Sequence, residues 1–322
     1  MCGIIGYCGP KPAGRVLLEG LKRLEYRGYD SAGICVQGGE GLQLYKRKGK
    51  IRDLIPLVPE DLAARCGIGH TRWATHGEVN DQNAHPHLDC GGRIAVAHNG
   101  IIENYLSLKG KLVSEGHRFA SETDSEVIAH LIEKYYSGDL MEAVRRALAL
   151  LKGTYGIVCL HRDHPDRVVG ARQGSPLVVG IGAGESFLAS DVTAIIGHTR
   201  QVVYLEDGEL VWLSPEEFRT TDLKDQEIQK KIESVSWELE QIEKGGFAHF
   251  MEKEIFEQPE SIKRAMGGRL DLEQATAHLG GLNMSNRDLL NVERVRIVAA
   301  GTSWHAGLVG MYLLESIARV PC

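Results

Sequence analysis

The sequence contains no apolar run near the roughly 20 residues that a membrane-spanning helix needs. It does not open on a basic start followed by an apolar segment and a cleavage site, so no secretory signal is read. Basic runs are missing as well. At a formal net charge of −6, a mildly acidic surface repels a phosphate backbone, and nucleic-acid binding is not expected. Seven cysteines occur, at positions 2, 8, 35, 66, 90, 159 and 322, but none pair as Cys-x-x-Cys. That spacing argues against a zinc ribbon or a redox dithiol. An odd count in a long chain without a signal also argues against a disulfide framework. The expectation is a cytoplasmic protein with free thiols, no metal, no cofactor and no membrane partner. Internal repeats and low-complexity tracts are absent too.

What is present is ordinary for a globular protein: 43% hydrophobic and 25% charged residues over 322 positions, a length that suits about two domains. The apolar run 3–8 predicts a buried strand. A helix follows around Val16, Leu17, Leu21 and Leu24, with Pro12 near its start. Short strands are predicted at 32–36, 42–45, 67–70 and 94–97, then helices over 103–115, 124–136 and 140–151. Six more strands between 155 and 213, punctuated by Gly and Asp turns, make an α+β layered domain with mostly antiparallel sheets. Residues 222–266 are charged and read as exposed helices joining two domains. The apolar run 295–300 then predicts a buried parallel strand, turned by Gly301-Thr302-Ser303 into a helix. One strand and one helix do not make a domain, so the second domain is expected to be partial.

Several runs could carry chemistry. Initiator Met is normally trimmed before a small residue, which would put the Cys2 thiol beside a free α-amino group able to act as its base. By position alone, Cys2 reads more readily as a small apolar residue opening a strand. In the run 70–77, Arg72 could clamp a carboxylate, with Thr75 and His76 adding donors; a structural turn explains the same residues. His85 and His87, two apart with no carboxylate arrangement, read better as loop-ordering residues than as metal ligands. Asn99-Gly100 could form an oxyanion hole or a plain turn. Asp124 could bind an ammonium group, or belong to the acidic start of a helix.

Taken together, these runs resemble a known family. Cys2-Gly3-Ile4-Ile5-Gly6, the run 25–33, the run 70–77, His98-Asn99-Gly100, Glu122-Thr123-Asp124, the run 253–259 and Gly301-Thr302-Ser303 occur in the order seen in the glutamine–fructose-6-phosphate aminotransferase (isomerising) family. The resemblance implies an N-terminal-nucleophile glutaminase with a four-layer αββα fold over 1–220. It further implies a helical linker over 221–290 and the start of a sugar-isomerase domain over 291–322. It implies Cys2 as nucleophile, Asn99 and the Gly100 N–H as oxyanion donors, and Arg72, Thr75, His76 and Asp124 as glutamine contacts. Trp73 would gate the ammonia path, and Thr302 and Ser303 would form part of a sugar-phosphate site. Glutamine and fructose 6-phosphate are the implied substrates, and a homodimer the implied assembly of the full-length protein. A glutaminase with a different acceptor domain, or a non-catalytic regulatory module, are the alternatives. No ATP-pyrophosphatase glycine-serine loop follows residue 220.

Overall fold

Alternation along the first strand already dictates layers. Successive side chains of a strand point to opposite faces, and both Ile4 and Ile5 are apolar, so that strand must be covered on both sides. The computed structural model, which describes residues 2–39, 41–60, 62–235, 247–266, 270–271, 276–277 and 284–322, bears this out. Ile4 lies in a core between two sheets, while Ile5 faces a helix. The chain divides into two compact units, Met1–Glu243 and Lys244–Cys322.

In the first unit the elements run β1 (Gly3–Cys8), α1 (Ala13–Leu24), β2 (Ser31–Gly38), β3 (Gly41–Lys48), α2 (Ile51–Leu54), β4 (Cys66–Arg72), β5 (His87–Leu88) and β6 (Ile94–Ile102). Three helices follow, α3 (Tyr105–Ser114), α4 (Glu126–Tyr135) and α5 (Leu140–Leu148). The strands then resume: β7 (Gly153–His161), β8 (Val168–Gln173), β9 (Val178–Ile181), β10 (Ser186–Ala189), β11 (Gln201–Tyr204), β12 (Glu209–Leu213), β13 (Phe218–Asp222) and β14 (Glu233–Ser234). One sheet has the order β14-β11-β9-β10-β1-β4-β2-β3 and the other β13-β12-β8-β7-β6-β5. All their strand pairs are antiparallel. Helix α1 presses Val16, Leu17, Leu21 and Leu24 onto the first sheet. Helices α4 and α5 cover the second with Ile128, Leu131, Val144 and Leu148. Ile68, Ala97, Val158 and Leu188 fill the space between the sheets. The result is the expected αββα sandwich.

Three expectations need correction. Cys8 and Cys66 are not free: they stand opposite each other on β1 and β4, with Cα atoms 4.3 Å apart, and are joined as a disulfide. Strand register creates that proximity between positions 58 apart in sequence, and no cysteine spacing reveals it. Cys2, Cys35, Cys90, Cys159 and Cys322 remain free. Residues 223–235 are not helical either. They follow the sheet edges, with Ile228 bonded to Thr220 and β14 paired to β11, because Val235 is drawn onto the apolar core. Of the rest of the expected charged helices, 236–246 lies outside the described residues, and Phe250–Met266 is helical.

The second unit holds α6 (Phe250–Met266), the short strands β15 (Leu270–Asp271) and β16 (Thr276–Ala277), α7 (Asn286–Leu290) and α8 (Thr302–Leu313). The third correction falls here. Residues 295–300 form no strand ladder, and Val298 is 95% exposed. A parallel strand is buried only when neighbouring strands and covering helices flank it; α8 approaches Ile297 through Gly307, but no strand pairs with the run among the described residues. The expected helix is present as α8.

Candidate active site

The pairing of β1 with β4 sets the site. Gly3 stands opposite Thr71, so Cys2 meets the chain as it leaves β4. The Trp73 N–H donates to Cys2 Sγ at 3.2 Å, and the thiol lies 3.5 Å from the Trp73 carbonyl oxygen. Burial pushes the Cys2 thiol up from its ordinary value, opposed by the hydrogen bond with the Trp73 backbone and by Arg72. A protonated thiol therefore predominates near neutrality, and attack requires a base.

Asn99 stands on β6, and its Nδ2 donates to the Cys2 carbonyl at 3.0 Å. Its Oδ1 lies 3.0 Å from His70 Nε2, which is also 3.1 Å from the His98 carbonyl oxygen. Two acceptors around one ring nitrogen require that nitrogen to carry the hydrogen. Burial keeps His70 neutral, with its pKa brought down to about 3. His70 thereby fixes which way the Asn99 amide points, with its donors toward Cys2. Behind it His85 stacks on His70 at 4.2 Å, and His87 meets His85 edge-on at 4.4 Å. Burial depresses both well below the usual histidine range. His87 Nε2 sits 3.0 Å from the Thr123 hydroxyl, anchoring the segment that carries Asp124.

Gly100 adopts a φ of 131°, and a Cβ there would lie 2.0 Å from the Thr154 carbonyl oxygen. Only glycine fits this bend, which turns the backbone beside the pocket. The Asp124 carboxylate accepts the Ile102 N–H at 2.8 Å and stands 3.8 Å from His76 Nδ1. The buried Arg72 guanidinium donates to the carbonyls of His76, Gly77 (3.4 Å) and Glu78 (3.2 Å). Thr75 is exposed, its hydroxyl 3.3 Å from His76 Nδ1. Trp73 is 44% exposed and meets the Tyr29 ring edge-on at 5.5 Å. Asp30 accepts the Ala74 N–H at 2.8 Å and so steadies the turn after Arg72.

One pocket is lined by Cys2, Arg72, Trp73, Thr75, His76, Gly100 and Asp124. The structure thus brings the expected residues of the first unit other than Asn99 into one pocket, and Asn99 is bonded to the Cys2 carbonyl. A wider hollow near Asp139, Arg145 and Trp212 is lined by no cysteine. Thr302 and Ser303 belong to the second unit, exposed in the first turn of α8 after Gly301 at a φ of 61°. The sequence alone assigns no role to His70 or Asp30. Both lie inside the runs that carry the resemblance, and that position was their only signal.

Residues 70–197 match the glutamine amidotransferase domain family. Over all 322 residues the chain is 54% identical to the glutamine–fructose-6-phosphate aminotransferase (isomerizing) of Thermus thermophilus, covering 52% of that protein. It is 50% identical to the protein of the same name from Caldanaerobacter subterraneus, covering 53% of it. The chain spans about half the length of the curated relatives it matches. Among solved structures, the glutamine phosphoribosylpyrophosphate amidotransferase of B. subtilis, complexed with ADP and GMP, aligns with a TM-score of 0.59. That likeness has 28% identity and covers 69% of this chain and 49% of the other. The chain carries a glutamine amidotransferase domain of the class-II, N-terminal-nucleophile fold, and along its whole length it is a relative of the glutamine–fructose-6-phosphate aminotransferases.

Proposed function

We propose that this chain hydrolyses glutamine to glutamate and ammonia, with Cys2 as the nucleophile once Met1 has been removed. The observation that carries the reading is the single pocket in which a thiol, a bent glycine backbone, a buried guanidinium and a buried carboxylate converge. The freed α-amino group takes the thiol proton, and Sγ attacks the side-chain amide carbon. Asn99 Nδ2 and the Gly100 N–H hold the resulting oxyanion. Collapse of that intermediate breaks the carbon–nitrogen bond. The protonated amine returns its proton to the departing ammonia. Water then hydrolyses the thioester and frees glutamate.

A free amino acid presents one carboxylate and one ammonium, and the pocket offers a partner for each. Arg72 pairs with the carboxylate, helped by Thr75 and His76. Its bonds to three carbonyls leave two of its five N–H groups for a ligand. Asp124 takes the ammonium. Trp73, half exposed at the rim, gates the exit of ammonia.

In the whole protein we assign the ammonia to fructose 6-phosphate, giving glucosamine 6-phosphate. The names of the relatives matched along the full chain support this acceptor over a phosphoribosyl one, whose likeness covers a smaller share. On this reading residues 1–220 are the glutaminase, 221–290 a linker and 291–322 the start of the sugar-isomerase domain. Thr302 and Ser303 then contribute to the sugar-phosphate site, because free N–H groups at a helix start suit a phosphate. No described helix is long and apolar enough to cross a membrane. A cytoplasmic homodimer is the assembly we propose for the whole protein. The test is to incubate the purified 322-residue chain with glutamine, with and without fructose 6-phosphate. Glutamate release without any aminosugar is expected; aminosugar formation would overturn the division of labour.

A further inference from the structure

A second cluster of chemically capable side chains lies outside the glutamine pocket. Cys90 stands in the turn between β5 and β6, His117 in the loop between α3 and α4, and His130 and Glu133 one turn apart on α4. One ligand atom from each of the four lies within 4.8 Å of all the others. Cys90 Sγ is 3.5 Å from His130 Nδ1 and 3.7 Å from His117 Nδ1. Glu133 Oε2 is 3.4 Å from His130 Nδ1 and 2.9 Å from His117 Nδ1. None of the four lines the glutamine pocket.

Those separations fit a tetrahedral ion. With zinc–sulfur and zinc–nitrogen bonds of ordinary length, tetrahedral angles put sulfur and nitrogen about 3.6 Å apart. The surroundings also suit bound metal. His130 is fully buried with Nδ1 turned into the cluster, while its Nε2, without a hydrogen bond, faces the Glu126 carboxylate at 3.6 Å. A carboxylate behind a ligating histidine fixes its ring and raises its basicity. Glu126 is itself pinned by the amides of Ala120 and Ser121 and by the Ser121 hydroxyl. On the sulfur side, the Arg118 N–H donates to Cys90 Sγ at 3.3 Å, a bond that steadies a thiolate. One soft ligand, two imidazoles and one carboxylate select a borderline ion such as Zn²⁺ over Mg²⁺ or Ca²⁺.

We propose that Cys90, His117, His130 and Glu133 form a structural site for Zn²⁺ or a similar divalent transition metal. The sequence reading expects no metal because no cysteines pair as Cys-x-x-Cys; these four ligands, spaced 27, 13 and 3 residues apart, match no common motif. The ion would tie together three separate segments, among them the helix that follows Asp124.

The test uses Co²⁺ and Zn²⁺ on the full chain carrying Cys2→Ala, which removes the thiol of the glutamine pocket. One equivalent of Co²⁺ is expected to give tetrahedral absorption with a thiolate charge-transfer band, displaced by one equivalent of Zn²⁺. Adding Cys90→Ser, at an exposed position, should abolish the band, and Glu133→Gln should weaken Zn²⁺ binding. The expected loss for Cys90→Ser exceeds roughly 100-fold, above what losing an outer-sphere partner costs. Zn²⁺ should also raise the melting temperature of the Cys2→Ala protein and leave that of the Cys90→Ser double variant unchanged. Absence of the band from the Cys2→Ala protein, or its persistence after Cys90→Ser, overturns the proposal.

Discussion

Lowering the pH from 7.5 to 5 should destabilise this fold before its carboxylates titrate. The cause is a set of buried and partly buried histidines, the stack of His70, His85 and His87 together with His98, His161 and His198. His70 has a folded-state pKa near 3 against 6.5 when solvated, because burial disfavours its cation. Above 6.5 both folded and unfolded chains hold the ring neutral, and it has no effect on the balance. Below 6.5 the unfolded chain takes up a proton that the folded one refuses, so stability falls as pH falls. At pH 5, which is 1.5 units below 6.5, His70 alone costs about 2 kcal/mol. His85 and His87, pushed down by the same burial, act in the same direction. Glu126, depressed to about 2, begins to lose its contribution only as pH falls below its solvated value of 4.5, so the window from 6.5 to 5 isolates the histidines. Urea denaturation at half-unit steps across this window measures the slope. A free energy of unfolding that is flat between pH 7.5 and 5 would refute the assignment of neutral buried rings.

Asn99→Ala should lower kcat for glutamate release by about 100- to 1,000-fold, the usual cost of one oxyanion donor, with a smaller change in KM. Steady-state kinetics separate the two parameters. His70→Ala leaves the Asn99 amide free to turn, and kcat should fall without a matching rise in KM; an unchanged kcat would show that another contact orients Asn99. Thiol titration of the unfolded chain should count five groups without reductant and seven after reduction, as the bond between Cys8 and Cys66 requires.

Much of this architecture is legible in the sequence because local signals and tertiary demand agree. The run 3–8 is apolar at the positions facing the helix and at those facing the second sheet, and it forms the strand buried between both. Gly100 is required by a bend that an Asn-Gly pair announces. Other features depend on contacts between layers and leave no local trace. Cys8 and Cys66 meet through strand register. The cluster at Cys90 is assembled from a turn, a loop and a helix. His70 reads as one polar residue in a strand until Asn99 arrives beside it from the other sheet. The run 295–300 fails in the opposite way: its apolar pattern is that of a buried strand, but among the described residues no sheet stands beside it.

Central to the account is the sulfur of Cys2, and the glutaminase activity of Cys2→Ala tests it most directly. Intact mass should first show Met1 removed from the wild-type chain. Glutamate release should then vanish in Cys2→Ala while its melting temperature stays close to that of the wild type. Glutamate release surviving in a folded Cys2→Ala protein would contradict the account.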